Sequence, residues 1–281
     1  MSTQSGSQQK WHRFVALGDS FTEGIGDPLP DGGHRGWADR VAEQLAAHRE
    51  DFSYANLAIR GKLYQEIVDE QTDAAIALAP DLISLCAGGN DVIQRGDPDV
   101  IAAGMDDVVG RLRAETGADV ILWAGPDVGH TPVLNLVRGR VAIMNENMRT
   151  VAKRHDCYLV DLWSQQQLAA EPMWAEDRLH FSPLGHHTIA LEVLHTLGVA
   201  HTLEKHEVPE VPEKSWSEAR SEDLAWARQH LAPWVMRRIR GESSGDEIAP
   251  KRPEATAVFG RAMPPGAGAS GMEGALEEGA Q

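Results

Sequence analysis

Apolar residues along this chain fall into two alternating patterns. Short unbroken runs at Arg13–Gly18 (RFVALG), Tyr54–Ile59 (YANLAI), Leu82–Ala87 (LISLCA), Val120–Ala124 (VILWA) and Tyr158–Leu162 (YLVDL) have the length of strands buried on both faces of a parallel sheet. Between them lie stretches of helical length that carry an apolar stripe. Trp37–Arg49 has apolar residues at positions 37, 38, 41, 42, 45 and 46, and Leu63–Leu78, Val100–Arg113 and Leu136–Lys153 are similar but less regular. A last helix is predicted over Pro183–Leu197, with Ser182 as N-cap, Pro183 at the first helical position and Gly198 just past the end. Repeated strand-then-helix order implies right-handed crossovers and a doubly wound parallel sheet with helices on both faces. Ligands of such sheets sit beyond the carboxyl ends of the strands, so the residues that follow each strand should face one crevice.

Outside this region the pattern lapses. Residues 1–10 are polar and read as a disordered N-terminus, followed by one domain over 11–203. From 204 the chain becomes a charged, proline-containing linker, then a helix is expected over Glu218–His230, and the Arg237, Arg238 and Arg240 cluster closes this part at 240. Residues 241–281 are rich in Gly, Ala, Glu and Pro without periodicity and read as a disordered tail. A chain of 281 residues suits one sizeable domain with such appendages.

Composition narrows the functional classes. A formal charge of −16 speaks against nucleic acid or an anionic membrane as partner, because phosphate binding needs a basic surface. Only Cys86 and Cys157 are present, both within apolar runs, and are read as buried thiols rather than a disulfide. The first ten residues lack the apolar stretch of a signal peptide, which gives a cytoplasmic expectation without stable membrane association.

The chemistry stands at the strand ends. After the first run comes Gly18-Asp19-Ser20-Phe21-Thr22-Glu23-Gly24, in which Ser20 and Glu23 also have the spacing of a capping box. After the second comes Gly61, readable as a mere turn, and after the third Gly88-Gly89-Asn90-Asp91. A fourth element, Asp177-Arg178-Leu179-His180, lies just before the last helix. Together they offer a coherent set. A serine hydroxyl becomes a useful nucleophile when an imidazole takes its proton, and the imidazole needs a carboxylate to fix its tautomer. The backbone N–H groups of Ser20 and Gly61 and the Asn90 amide are candidate donors to an oxyanion.

These four blocks, GDSF at Ser20, NLAIRG at Gly61, GGND at Asn90 and DRLH at 177–180, resemble those of the SGNH/GDSL hydrolase superfamily. The resemblance runs from Arg13 to about Leu197. It implies a flavodoxin-like three-layer α/β/α sandwich with a five-stranded parallel sheet, Ser20 as nucleophile, His180 as base assisted by Asp177, and Ser20, Gly61 and Asn90 as oxyanion donors. It also implies a serine ester hydrolase working through an acyl-Ser20 intermediate, with no cofactor or metal. Phe21 stands where the family usually has Leu, and no G-x-S-x-G elbow surrounds Ser20.

Trp37 and Trp174 are candidate walls of the substrate pocket, whereas Trp123 and Trp163 read as core, and His34 and His130 as surface histidines. His186 and His187 lack the companions of a zinc site. Without an apolar lid insertion, the expected substrates are small or water-soluble acyl esters, and an alcohol in place of water would make the enzyme an acyltransferase. Two other readings compete. One is a flavodoxin-like phosphate or nucleotide binder that uses Ser20, Thr22 and Gly24 at its first loop. The other is an idle interaction module that acts through its C-terminal part. Both leave Asn90 and the Asp177–His180 pair without a role.

Overall fold

A computed structural model describes residues 10–30, 32–131, 134–211, 226, 228, 245 and 248–259. Strands β1 (Arg13–Gly18), β2 (Ser53–Asn56), β3 (Leu82–Cys86), β4 (Asp119–Ala124), β5 (Tyr158–Asp161) and β6 (Arg252–Ala257) form one sheet in the order β5-β4-β3-β1-β2-β6. The first five are parallel, with Val15 of β1 flanked by Ala55 of β2 and Ile83 of β3. This is the doubly wound sheet that the alternating runs predict.

The period of two decides which side chain meets which layer. Phe14 and Ala16 of β1, Leu82 of β3 and Ile121 and Trp123 of β4 pack into one core, which also receives α2 (Gly36–Ala46) and α7 (Pro183–Leu197). Val15, Leu17, Ile83, Leu85, Val120 and Leu122 point the other way, against α3 (Tyr64–Ala77), α5 (Pro98–Thr116) and α6 (Arg138–Arg154). Burial on both faces is why these strands read as continuous apolar runs. Two short helices, α1 (Ser20–Glu23) and α4 (Gly89–Ile93), follow β1 and β3 directly and lie at their carboxyl ends. Among the described residues no helix is long and apolar enough to cross a membrane. Both cysteines are free and partly buried.

Three expectations need correction. The sheet has six strands rather than five, because Arg252–Ala257, read as part of a disordered tail, pairs antiparallel with β2. That segment is polar and covers an edge, so it lacks the apolar run of a buried strand. Second, β2 ends at Asn56 instead of Ile59, since Asn56 turns inward and bonds the Thr22 carbonyl, the Tyr54 hydroxyl and the Ala58 N–H. Third, Ser20 caps nothing. The N-cap of α1 is Asp19, whose carboxylate accepts from Phe21 N–H, and Glu23 instead pairs with Arg60. The expected N-terminal disorder over 1–10 and the helix over 218–230 fall, apart from residues 10, 226 and 228, outside the described residues.

The start of α7 is fixed to the loop after α1 by a buried histidine. Trp37 N–H donates to His186 Nδ1 at 3.2 Å, and His186 Nε2 donates to the Ile25 carbonyl at 3.0 Å. Only the neutral ring makes both bonds. Burial, the main cause, pulls the His186 pKa down to about 4 from an ordinary 6.5. The unfolded chain therefore binds this proton first, so the ring's contribution to stability is complete above pH 6.5 and is lost as pH falls toward 4. Thermal melts of His186→Asn should show a loss of about 1–3 kcal/mol at pH 8, from the broken bonds, and a shallower decline than the wild type between pH 6.5 and 4.

Candidate active site

Asp177, Arg178, Leu179 and His180 form a tight turn before α7. Its ends are fastened by Ala175 N–H to the His180 carbonyl at 2.8 Å and Ser182 N–H to the Met173 carbonyl at 2.8 Å. Within the turn, Asp177 Oδ1 accepts the N–H groups of Leu179 and His180, each at 3.0 Å, which leaves Oδ2 for the ring. His180 Nδ1 lies 2.6 Å from Asp177 Oδ2, and Nε2 lies 2.9 Å from Ser20 Oγ. With its Nδ1 proton held by the carboxylate, the imidazole turns an unprotonated Nε2 toward the serine hydroxyl. Ser20 is the first residue of α1, so its N–H is one of the donors that a helix start leaves unsatisfied by the helix itself.

Asn90 ties the remaining blocks together. Its side-chain amide donates to Lys62 O at 3.0 Å and to Asp19 Oδ2 at 3.2 Å, which puts it one residue from Gly61 on one side and one residue from Ser20 on the other. The Gly61 turn, itself at φ +79°, is braced from both directions, by Arg60 N–H on Glu23 Oε2 at 2.7 Å and by Tyr64 N–H on Asp91 Oδ2 at 2.8 Å. All five residues singled out for the chemistry, Ser20, Gly61, Asn90, Asp177 and His180, thus belong to segments that meet at the carboxyl end of β1 and β3.

Two carboxyls beside this centre are driven in opposite directions. Burial works to raise Asp177, but the hydrogen bond and charge of His180 and the two N–H groups outweigh it and bring the pKa to about 2. Asp19 has no such partner. Burial, opposed by the Phe21 N–H, the charge of His180 and its own backbone N–H, pushes it up to about 6, helped by the nearby charge of Asp91. The Cys86 thiol also faces the site, but burial and the Asp19 charge lift it well above its usual value, so it is no nucleophile at neutral pH.

A cavity of about 250 Å³ opens from Ser20, Asn90 and His180 and runs between the sheet and the helices α5 and α6. Its far walls are Met105, Met144, Met148, Val137 and Val141, with Leu134 and Val92 between. Trp174 lines the cavity near His180, its ring stacked on Phe181 with centroids 4.4 Å apart and its indole N–H on the Leu168 carbonyl. Trp37 does not line it, contrary to expectation. It is fully buried against Phe21 and Trp123, because the apolar stripe of α2 faces the core. Trp123, expected in the core, is buried and also contributes to the cavity wall. His34 and His130 bond neither Ser20 nor His180; the His130 ring sits 5.5 Å from that of Trp174. Among the described residues no group of three or more His, Cys, Asp or Glu is arranged to hold a metal ion.

The family model for the GDSL-like lipase/acylhydrolase family matches residues 16–188. The chain belongs to this family. It is accordingly a carboxylic ester hydrolase of the GDSL type, and the four motif blocks lie within the matched region. Solved structures share the fold at low identity. An α/β hydrolase enzyme, LAE5, from the metagenome of Lake Arreo is 23% identical with a TM-score of 0.57, covering 66% of this chain and 95% of its own. TesA is 21% identical with a TM-score of 0.56, at 66% and 97% coverage. Axe2, an acetylxylan esterase from Geobacillus stearothermophilus, is 20% identical with a TM-score of 0.55, at 69% and 96% coverage. A comparison with curated proteins found no match.

The opposed carboxyls give a direct test. The Asp177 contribution to stability is complete above the ordinary carboxyl value of 3.8 and is lost as pH falls toward 2. Asp19 has the reverse sign: its raised value penalises the folded state at neutral pH, and the penalty disappears as pH falls through 6 toward 3.8. Side-chain carboxyl carbon NMR should place the Asp19 midpoint near 6 and that of Asp177 near 2. An Asp19 midpoint in the ordinary carboxyl range would contradict its burial without a cationic partner.

Proposed function

We propose that this ester hydrolase works through an acyl-Ser20 intermediate and takes esters with a medium-length apolar acyl chain. The observation that supports the mechanism is the continuous hydrogen-bonded chain from Asp177 through His180 to Ser20 Oγ. In it, Ser20 Oγ attacks the ester carbonyl carbon while its proton passes to His180 Nε2. The carbonyl oxygen, now an oxyanion, takes hydrogen bonds from the N–H groups of Ser20 and Gly61 and from the Asn90 amide. Asn90 must give up one existing bond to do so, and the longer one, at 3.2 Å to Asp19, is the one to yield. Collapse breaks the bond to the alcohol, which leaves with the proton from Nε2. Water then repeats the sequence on the acyl-enzyme, and an alcohol in its place completes acyl transfer.

The substrate reading departs from the small or water-soluble esters expected from the sequence. An apolar cavity of about 150 Å³ accepts a benzene ring, so in proportion one of 250 Å³ accommodates roughly eight to ten carbons. Each buried methylene is worth about 0.8 kcal/mol, roughly a three- to fourfold gain in kcat/KM per carbon. Neither a phosphate site nor an idle module accounts for an apolar channel that begins at the serine.

Purified enzyme should hydrolyse p-nitrophenyl esters with kcat/KM rising about three- to fourfold per methylene from acetate toward octanoate and levelling beyond roughly ten carbons. Ser20→Ala should abolish turnover and fluorophosphonate labelling. Labelling that persists in this variant would place the nucleophile elsewhere. Val141→Phe, which fills the channel, should lower octanoate turnover about tenfold or more and leave acetate turnover nearly unchanged. A profile that is highest on acetate and falls with length would restore the short-ester reading.

A further inference from the structure

The family match ends at residue 188, so the C-terminal extension from residue 204 stands outside it. Its described parts nonetheless touch the body of the protein at three places, two of them beside the motif blocks of Gly61 and of Asp177–His180. Lys251, largely buried behind the edge strand, donates to the carbonyls of His34 and Arg35 at 3.1 and 2.8 Å and pairs with Asp39 at 2.5 Å, which fixes the start of α2. Gly245 packs on the residues preceding Gly61 so closely that a Cβ there would lie 2.2 Å from the Arg60 carbonyl oxygen. Trp226 meets the turn that carries Asp177 and His180: its indole N–H donates to the Asp177 carbonyl at 2.9 Å, and the Arg178 guanidinium lies over its ring at 5.4 Å.

The third contact bears on the chemistry. Arg178 has φ +54°, the left-handed region that residues with a side chain rarely adopt. That conformation folds the turn back so that the Asp177 carboxylate reaches the ring of His180. The Trp226 indole grips the carbonyl immediately before Arg178 and covers the Arg178 side chain, so it favours the strained turn over a relaxed one. We propose that Trp226 is a positioning residue for the Asp177–His180 pair, supplied by the C-terminal extension. The proposal rests on the reading of His180 as the base for Ser20. The extension then belongs to the working enzyme, not to a separable module.

The full-length chain and its Trp226→Phe and Trp226→Ala variants serve to test this, with kcat and KM on p-nitrophenyl octanoate, the rate of fluorophosphonate labelling, and the far-downfield proton NMR signal of the His180 Nδ1–H bonded to Asp177. Phe retains an aromatic face for Arg178 but has no N–H. For Trp226→Phe, kcat and labelling rate should fall together by about 3- to 10-fold, the worth of one hydrogen bond, with KM changed by less than about twofold and the downfield signal shifted or broadened. Trp226→Ala should fall further in the same two rates. Wild-type kcat, labelling rate and downfield signal in Trp226→Phe, whatever its melting temperature, would overturn the proposal, as would slower turnover with an unchanged signal. Failure of the wild type to label at Ser20 would instead strike the hydrolase mechanism, and the downfield signal, which needs no turnover, would still decide whether Trp226 positions the pair.

Discussion

The imidazole of His180 has to hold a proton on one nitrogen and present the other to a hydroxyl 160 residues earlier in the chain. That double bond-making constrains most of what surrounds it. The proton on Nδ1 requires a carboxylate that stays ionised, and Asp177 does so through the hydrogen bond and charge of His180 itself, helped by the two backbone N–H groups of its own turn on its other oxygen. The turn requires a fixed exit into α7, which Ser182 provides as N-cap and which His186 fastens to the Ile25 carbonyl and Trp37 N–H. Since Ile25 follows α1 directly, the same buried histidine that seats α7 also sets the distance between the segment of Ser20 and that of His180. The site's precision therefore comes from a packed helix start against a packed loop, both on rigid elements.

How much of this could be read from the sequence depends on whether local residue order sets the geometry. The five parallel strands and the helices between them were legible because burial on both sheet faces writes itself as apolar runs, and the α7 boundaries because Ser182, Pro183 and Gly198 act on their own neighbours. The meeting of Ser20, Gly61 and Asn90 followed from the rule that strand ends share a crevice, whereas Asp177 and His180, which stand before a helix and not after a strand, joined them through the resemblance of the four motif blocks. Less local features were not legible. Strand β6 is recruited by the open edge of β2 rather than by any propensity of Arg252–Ala257, and Trp226 gives no signal until the Asp177 carbonyl is placed beside it. Trp37 and Trp123 differ in outcome for the same reason: each lies on an apolar stripe, and only the tertiary arrangement decides which stripe borders a cavity.

The acyl channel shows the same ambiguity. Met105, Met144 and Met148 repeat on helices α5 and α6 in the positions of ordinary core residues, and two of the three are almost completely buried. What distinguishes them is the space left between the helices and the carboxyl ends of β3 and β4, where Gly89 and Gly125 line the cavity without side chains. Methionine suits such a wall, since its unbranched, polarizable chain can adapt to an occupant and close on itself when there is none. A channel built from core-like residues is thus invisible as a motif but consistent with a substrate whose bound part is itself core-like.

Asp19 and Asp177 show that a carboxyl's role here is set by its partners rather than by its nearness to the imidazole. Both interact with His180, yet one is held to about 2 and the other rises to about 6. Asp177 must stay charged to keep the imidazole oriented. Asp19 accepts the Asn90 amide, the group that would have to turn toward an oxyanion. Charged, Asp19 holds that amide and repels a developing oxyanion; with its value raised to about 6 by burial, it takes up a proton close to neutrality, and the neutral carboxyl holds the amide less firmly and carries no charge to oppose the oxyanion. Leaving Asp19 without a cation is thus consistent with the chemistry. A lysine or arginine beside it would stabilise the fold at neutral pH, and by fixing the charge would also fix the Asn90 amide in the orientation that does not serve the reaction.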